Sequence, residues 1–156
     1  MQMHYREINS PLGNILLQCN DYAITGLWLD RELPGGVNSD NPLLLRAQAW
    51  LNAYFRGENP ALDFLLQPEG TAFQKKVWQI LLSIPYGRSM TYGEIAGKLG
   101  RRMSAQAVGG AVGRNPIALM IPCHRVLGAK GALTGFGYGL ERKKQLLDLE
   151  KITYRE

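Results

Sequence analysis

With 156 residues, 46% of them hydrophobic and 20% charged, the chain can bury a core as one ordinary domain or as two small ones. No apolar run nears the roughly 20 residues that cross a bilayer, and the opening "MQMHYREINS" lacks the basic-then-apolar pattern of a secretory signal. A cytoplasmic chain with no membrane partner is therefore expected. The net charge of +5 is unevenly spread: residues 1–70 hold four basic and eight acidic residues, a balance of −4, and residues 71–156 hold fourteen and five, a balance of +9. A concentrated positive half attracts polyanions, and nucleic acid is the expected partner.

The division in charge coincides with a division in pattern, and two parts joined near Gly70 are predicted: a domain over 1–70 and a second over 71–156. The first opens with short strand-like runs alternating with turn signals at Ser10-Pro11-Leu12-Gly13 and Asn20-Asp21, an antiparallel meander. Cys19 falls in its second strand, where a small apolar core residue is the expected role. Pro42 then opens a helix with apolar residues at Leu44, Ala47, Leu51 and Tyr54, and Gly57 stops it. No chemistry is evident in this half.

Beyond Gly70 the pattern turns helical. Thr71 and Gln74 form a capping-box pair before the stripe Phe73, Val77, Ile80, Leu81 and Ile84. Thr91 and Glu94 form a second box opening "TYGEIAGKLG", with Gly100 at its end. Ser104 caps a third helix, "SAQAVGGAVGRN", and Pro116 lies past it. Two helices joined by the short basic turn "RRM" suggest a DNA-binding helix-turn-helix. Glycine inside a helix costs about 1 kcal/mol relative to alanine, so the small residues Ala105, Ala107, Gly109, Gly110, Ala111 and Gly113 need a reason. Close packing against another helix is one, and close approach to a nucleic-acid groove, favoured by Arg101, Arg102 and Arg114, is the other.

"IALMI", residues 117–121, reads as a buried strand that Pro122 ends. Cys123 would then stand at a strand end with His124 and Arg125 behind it. A thiol reacts as its thiolate, and basic neighbours can lower its pKa from about 8.5 by one to several units. In an extended chain, however, Cys123 and His124 point to opposite faces. They can interact only if the backbone turns at Cys123 or a water bridges them. A base also needs an orienting carboxylate; Glu94, Glu141, Asp148, Glu150 and Glu156 are the candidates in this half. With two cysteines far apart in sequence, free thiols are expected.

The hexapeptide Ile121-Pro122-Cys123-His124-Arg125-Val126 resembles the signature of the O6-alkylguanine-DNA alkyltransferases. So do the blocks "TAFQKKVWQILLSIPYGRSMTYGEIA", "AVGGAVGRNPIALMIPCHRVLG" and "GALTGFGYGLERKKQLLDLE", in order. The resemblance implies an α/β N-terminal domain (antiparallel sheet plus helix) followed by a mostly helical, winged-helix-like C-terminal domain bearing a helix-turn-helix. It implies direct repair of double-stranded DNA: the alkyl group of O6-alkylguanine passes irreversibly to Cys123, once per protein molecule. By the same resemblance His124 is the base acting through water, Glu150 orients it, Asn115 braces the turn, and Tyr92 rotates the nucleotide and donates to the departing guanine. Ala105, Ala107 and Gly109 would face the minor groove, and Gln106 stands where the family often has an arginine that fills the gap left by the flipped base. Pro122, Val126, Phe136, Gly137 and Tyr138 would form the base pocket. No cofactor is implied, and with only His4, His124, Cys19 and Cys123 at hand no structural zinc is expected. A monomer is expected. Two rival readings, a Cys-His hydrolase or acyl transferase and a DNA-damage-binding protein without chemistry, stay open at this point.

Overall fold

In the computed structural model, which describes residues 2–100 and 104–156, the chain forms two compact units. Of the described residues, one unit comprises 2–69 with 116–118, the other 70–100, 104–115 and 119–156.

In the first unit β1 (His4–Ser10), β2 (Gly13–Cys19) and β3 (Ile24–Leu29) form an antiparallel sheet in the order β1-β2-β3. The meander follows from its turns. Gly13 takes φ 105°, a left-handed value that glycine adopts without a Cβ clash. The Asn20 side chain accepts from the backbone N–H groups of Tyr22 and Ala23, a local turn that asparagine forms readily. Gly26 is needed because a Cβ there would lie 2.2 Å from the Trp28 ring. Ile15, Leu16 and Leu17 are consecutive and all buried, so the middle strand is covered on both faces. α1 (Pro42–Phe55) packs on the sheet. Asn41 caps it, Pro42 occupies its first turn, and Leu44, Ala47, Trp50, Leu51 and Tyr54 form its buried stripe. Cys19 is buried as a free thiol, and burial, with Asp21 adding to it, raises its pKa to about 11. That is the inert core cysteine the sequence suggested.

The second unit contains α2 (Ala72–Leu82), β4 (Met90–Thr91), α3 (Tyr92–Lys98), α4 (Ala105–Gly113), β5 (Val126–Leu127) and α5 (Leu140–Leu149). Both predicted capping boxes form, Thr71 with Gln74 and Thr91 with Glu94, each worth about 1 kcal/mol. Ser104 caps α4. α4 packs on α2 and α3 through Val108, Ala111 and Val112, and Trp78 of α2 donates its indole N–H to the Ala111 carbonyl at 2.9 Å. β4 and β5 pair in parallel over two residues. Leu127, Leu147 and Ile152 form a small core with Leu133 and Tyr154 against it. No helix among the described residues is long and apolar enough to cross a membrane.

The predicted strand at 117–121 does not form. Only Ile117 bridges to β3, at Leu27; residues 118–120 turn, and Leu119 takes φ 70°. All five residues are nevertheless buried. The apolar run marks burial without a ladder: Pro116 and Pro122 bracket it, and the left-handed residue ends its extended course after a single bridge.

Candidate active site

Pro122 leads into a single 3-10 turn over Cys123–Arg125. This is the backbone turn that an extended chain would have lacked, and it places three consecutive side chains in one buried neighbourhood. Cys123 is 8% exposed, His124 0% and Glu150 3%. Glu150, at the C-cap of α5, brings its carboxylate back to the turn. Its Oε2 lies 2.6 Å from Nε2 of His124, and its Oε1 accepts from Nε of Arg125 at 2.8 Å and from the Gly87 backbone N–H at 3.0 Å. Arg125 also donates to the Ile84 carbonyl at 2.7 Å, and its guanidinium lies 5.8 Å from the centre of the Tyr86 ring. Of the five candidate carboxylates, Glu150 is the one brought to His124.

The electrostatics depart from the sequence expectation. Burial pushes the Cys123 thiol up, against the lowering effect of the Asn115 side chain, the Lys143 ammonium, and the backbone N–H groups of Cys123 and His124. Arg125, expected to lower it, is committed to Glu150 and Ile84. Burial likewise pushes His124 down, although Glu150 pulls the other way. Both directions favour the uncharged pair, thiol and imidazole, over thiolate and imidazolium. The resting pair is therefore thiol and neutral imidazole.

Asn115 serves two partners in the turn. Its amide donates to the Ile121 carbonyl at 2.7 Å and to the Cys123 sulfur. This holds the 116–122 turn closed where no sheet ladder does. Cys123 opens onto a cavity of about 470 Å³ lined by Tyr92, Gly109, Val112, Gly113, Asn115 and residues 135–138. Tyr92 is the first residue of α3, and a Cβ on Gly109 would touch its ring at 3.8 Å. The Phe136 and Tyr138 rings meet edge-to-face at 5.8 Å. Pro122 and Val126, expected in the pocket, are buried but do not line this cavity. On α4, Ala105, Gln106, Ala107, Gly110, Gly113 and the capping Arg114 are exposed. A Cβ on Gly110 or Gly113 would meet nothing within 4 Å, so packing inside the protein does not require those glycines. Arg101 and Arg102 lie outside the described residues. Among the described residues, no group of three or more His, Cys, Asp or Glu is placed to hold a metal.

Sequence reasoning missed Lys143. It is fully buried and donates to the carbonyls of Val126 at 2.6 Å, Thr134 at 3.0 Å and Gly135 at 3.4 Å. One signal was available: on α5 the positions 143, 146, 147 and 150 share a face, so Lys143 and Glu150 occupy the stripe of Leu146 and Leu147.

A buried Cys-His-Glu constellation at the wall of a cavity, in a basic helical unit that follows a small α/β unit, defines a protein built for nucleophilic chemistry by one cysteine. The 6-O-methylguanine DNA methyltransferase family provides the match: the model of its DNA binding domain covers residues 72–152 and that of its ribonuclease-like domain covers residues 3–68. The chain belongs to this family. It is 46% identical over 153 residues to the methylated-DNA–protein-cysteine methyltransferase of Mycobacterium tuberculosis, covering 96% of this chain and 93% of that one. It is 44% identical to the protein of the same name from Methanosarcina acetivorans, covering 95% and 98%. The crystal structure of M. tuberculosis OGT in complex with DNA superposes with a TM-score of 0.85 at 47% identity, covering 95% of this chain and 92% of that one.

Proposed function

We propose that this protein repairs DNA by direct reversal, taking an alkyl group, methyl above all, from O6 of guanine in double-stranded DNA onto Cys123. The observation that carries the reading is the position of Cys123: at the wall of the cavity that also holds Tyr92, with His124 and its carboxylate immediately behind it.

Each residue has a task. Glu150 accepts the Nε2 proton of His124, so Nδ1 is the ring nitrogen left to take the thiol proton, through a water. The sulfur then attacks the alkyl carbon: the S–C bond forms and the C–O bond of guanine breaks. The departing guanine gains negative charge, and the Tyr92 hydroxyl, from the cavity wall, acts as its donor. Protons balance, since the one released by the thiol equals the one guanine must regain. The thioether has no leaving group that water can displace, so the protein acts once per molecule. The neutral resting pair suits this role, because a permanently ionised thiol would react with any soft electrophile, whereas here the proton leaves when the substrate is aligned.

The O6 substituent cannot be reached inside a base stack, so the target nucleotide rotates out into the cavity. α3 and α4 act as the helix-turn-helix, with α4 in the minor groove and Ala105, Ala107 and Gly109 against its walls. Gln106 fills the gap in the stack less fully than an arginine would. Residues 71–156 carry the DNA-binding and transfer functions and residues 1–70 form the N-terminal domain. The protein works as a monomer in the cytoplasm. Mixing it with a duplex containing O6-methylguanine should add the mass of one methyl group to the Cys123 peptide and then stop. Cys123→Ala should remain folded and leave the lesion in place. Multiple turnovers, or an unmodified Cys123, would overturn the assignment.

A further inference from the structure

Lys143 is the one lysine of the described residues that is fully buried. A buried ammonium survives only where its desolvation is offset, and here three carbonyls converge on it. Those carbonyls come from two places. Val126 belongs to β5, three residues after Cys123, whereas Thr134 immediately precedes, and Gly135 begins, the segment 135–138 that lines the cavity. Its hydrogen bonds thus join the segment around the pocket to the backbone that carries the nucleophile. Its charge also bears on the nucleophile: the ammonium lowers the Cys123 thiol and the sulfur raises Lys143 in turn.

We propose that Lys143 is a positioning residue of this site: its buried ammonium ties the 134–138 segment to the backbone behind Cys123 and supplies the cation against which the thiolate forms. The inference deepens the repair reading and rests on it for its meaning, but not for its test. Burial brings Lys143 down to about 8, so the tie weakens as pH rises through that value. The titratable groups facing it are few. Cys123 and His124 come from the 3-10 turn. Val126 and Leu127 of β5 and residues 134–137 offer no titratable side chain, and Tyr138 ends the segment. On α5 itself Glu141 and Lys144 are at or near the surface and paired with each other, and Glu150 is held by His124 and Arg125.

The test uses iodoacetamide, which reads thiolate without DNA: the sulfur displaces iodide, and the modified Cys123 peptide is counted by mass. Lys143→Met keeps length and loses charge and donors. It should slow the reaction about tenfold at pH 7.5, where the ammonium is still present, and the two rates should converge above pH 9, where it is lost. Lys143→Arg restores the cation and should bring the pH profile back to within about threefold of the parent. An unchanged profile in Lys143→Met, or no rescue by arginine in a folded protein, overturns the proposal. The unmutated protein provides a second arm should the methionine variant fail to fold. The Gly139 amide donates to the Phe136 carbonyl, and its hydrogen-exchange protection, corrected for intrinsic rate, should drop several-fold between pH 7 and 9. Constant protection across that range overturns the tie. Loss of methyl transfer from DNA with these responses intact would instead fault the repair reading.

Discussion

His124, Arg125 and the Gly87 amide all converge on the carboxylate of Glu150, and the identity of each donor matters. Because a carboxylate only accepts, it fixes the proton of His124 on Nε2 and leaves Nδ1 basic. Glu150→Gln should undo this even if the geometry survives. An amide can satisfy Arg125 and Gly87 through its oxygen, but it then presents its NH2 to His124, which must accept at Nε2 and carry its proton on Nδ1. The base is lost by tautomer rather than by distance. Single-turnover transfer from an O6-methylguanine duplex is expected to fall about a hundredfold, the usual worth of a positioned base; a rate within threefold of the parent would show that the histidine is not the base.

The direction of the His124 shift gives a pH signature. Its folded pKa lies below the ordinary 6.5, so the imidazole stays neutral and basic where a free histidine has gained its proton. At pH 6 an unperturbed base would be roughly three-quarters protonated. Transfer at pH 6 should instead proceed within about twofold of its pH 7.5 rate, measured at saturating DNA. The same shift costs stability in acid: below pH 6.5 the unfolded chain binds the proton more readily, so His124 destabilises the fold progressively until its folded pKa is passed. A fourfold loss of rate at pH 6 would place the His124 pKa at its ordinary value.

Among the elements, α4 offers the cleanest separation of fold from function. Gly110 lies mid-helix, exposed, with open space where a Cβ would go. Gly110→Ala should therefore stabilise the protein by roughly 0.5–1 kcal/mol, the propensity difference alone. If α4 enters a groove, the same methyl group should weaken duplex binding several-fold. Urea unfolding and a binding titration on one variant check both, and unweakened binding would mean that this face of α4 does not meet DNA. Much of this level was legible beforehand: α1, both capping boxes and the Ser104 cap follow from spacing and local hydrogen bonding, which sequence records directly. The stretch 117–121 was not. Its composition reports burial correctly, but the left-handed Leu119 and the Asn115 bracket are tertiary facts. A run of five apolar residues carries no mark of them. The site divides in the same way. Cys123, His124 and Glu150 were readable through a resemblance, whereas Lys143 looks like one more solvated charge in "LERKKQ" until the fold closes around it.

At the scale of the whole molecule, charge and chemistry are separable. The unit holding α2–α5 carries all of the +9 balance and the other unit is net −4. Its exposed cations include Lys75, Lys76, Arg88, Lys98 and Arg114, which water and salt reach freely, whereas Cys123, His124 and Glu150 are buried. Salt should therefore act on docking and leave the transfer step alone. If about three to five phosphates are neutralised on binding, log K for a duplex should fall against log salt with a slope of roughly −3 to −5. The transfer rate at saturating DNA should stay within about twofold over the same range, because no ion enters the reacting group of residues. Binding isotherms and single-turnover rates from 50 to 300 mM salt decide the matter. A slope shallower than about −1 would deny the basic unit its role as the phosphate-binding face. A saturating rate that fell in step with affinity would mean that docking and base extrusion are one electrostatic event, in which case the buried chemistry is reached only through a salt-sensitive step.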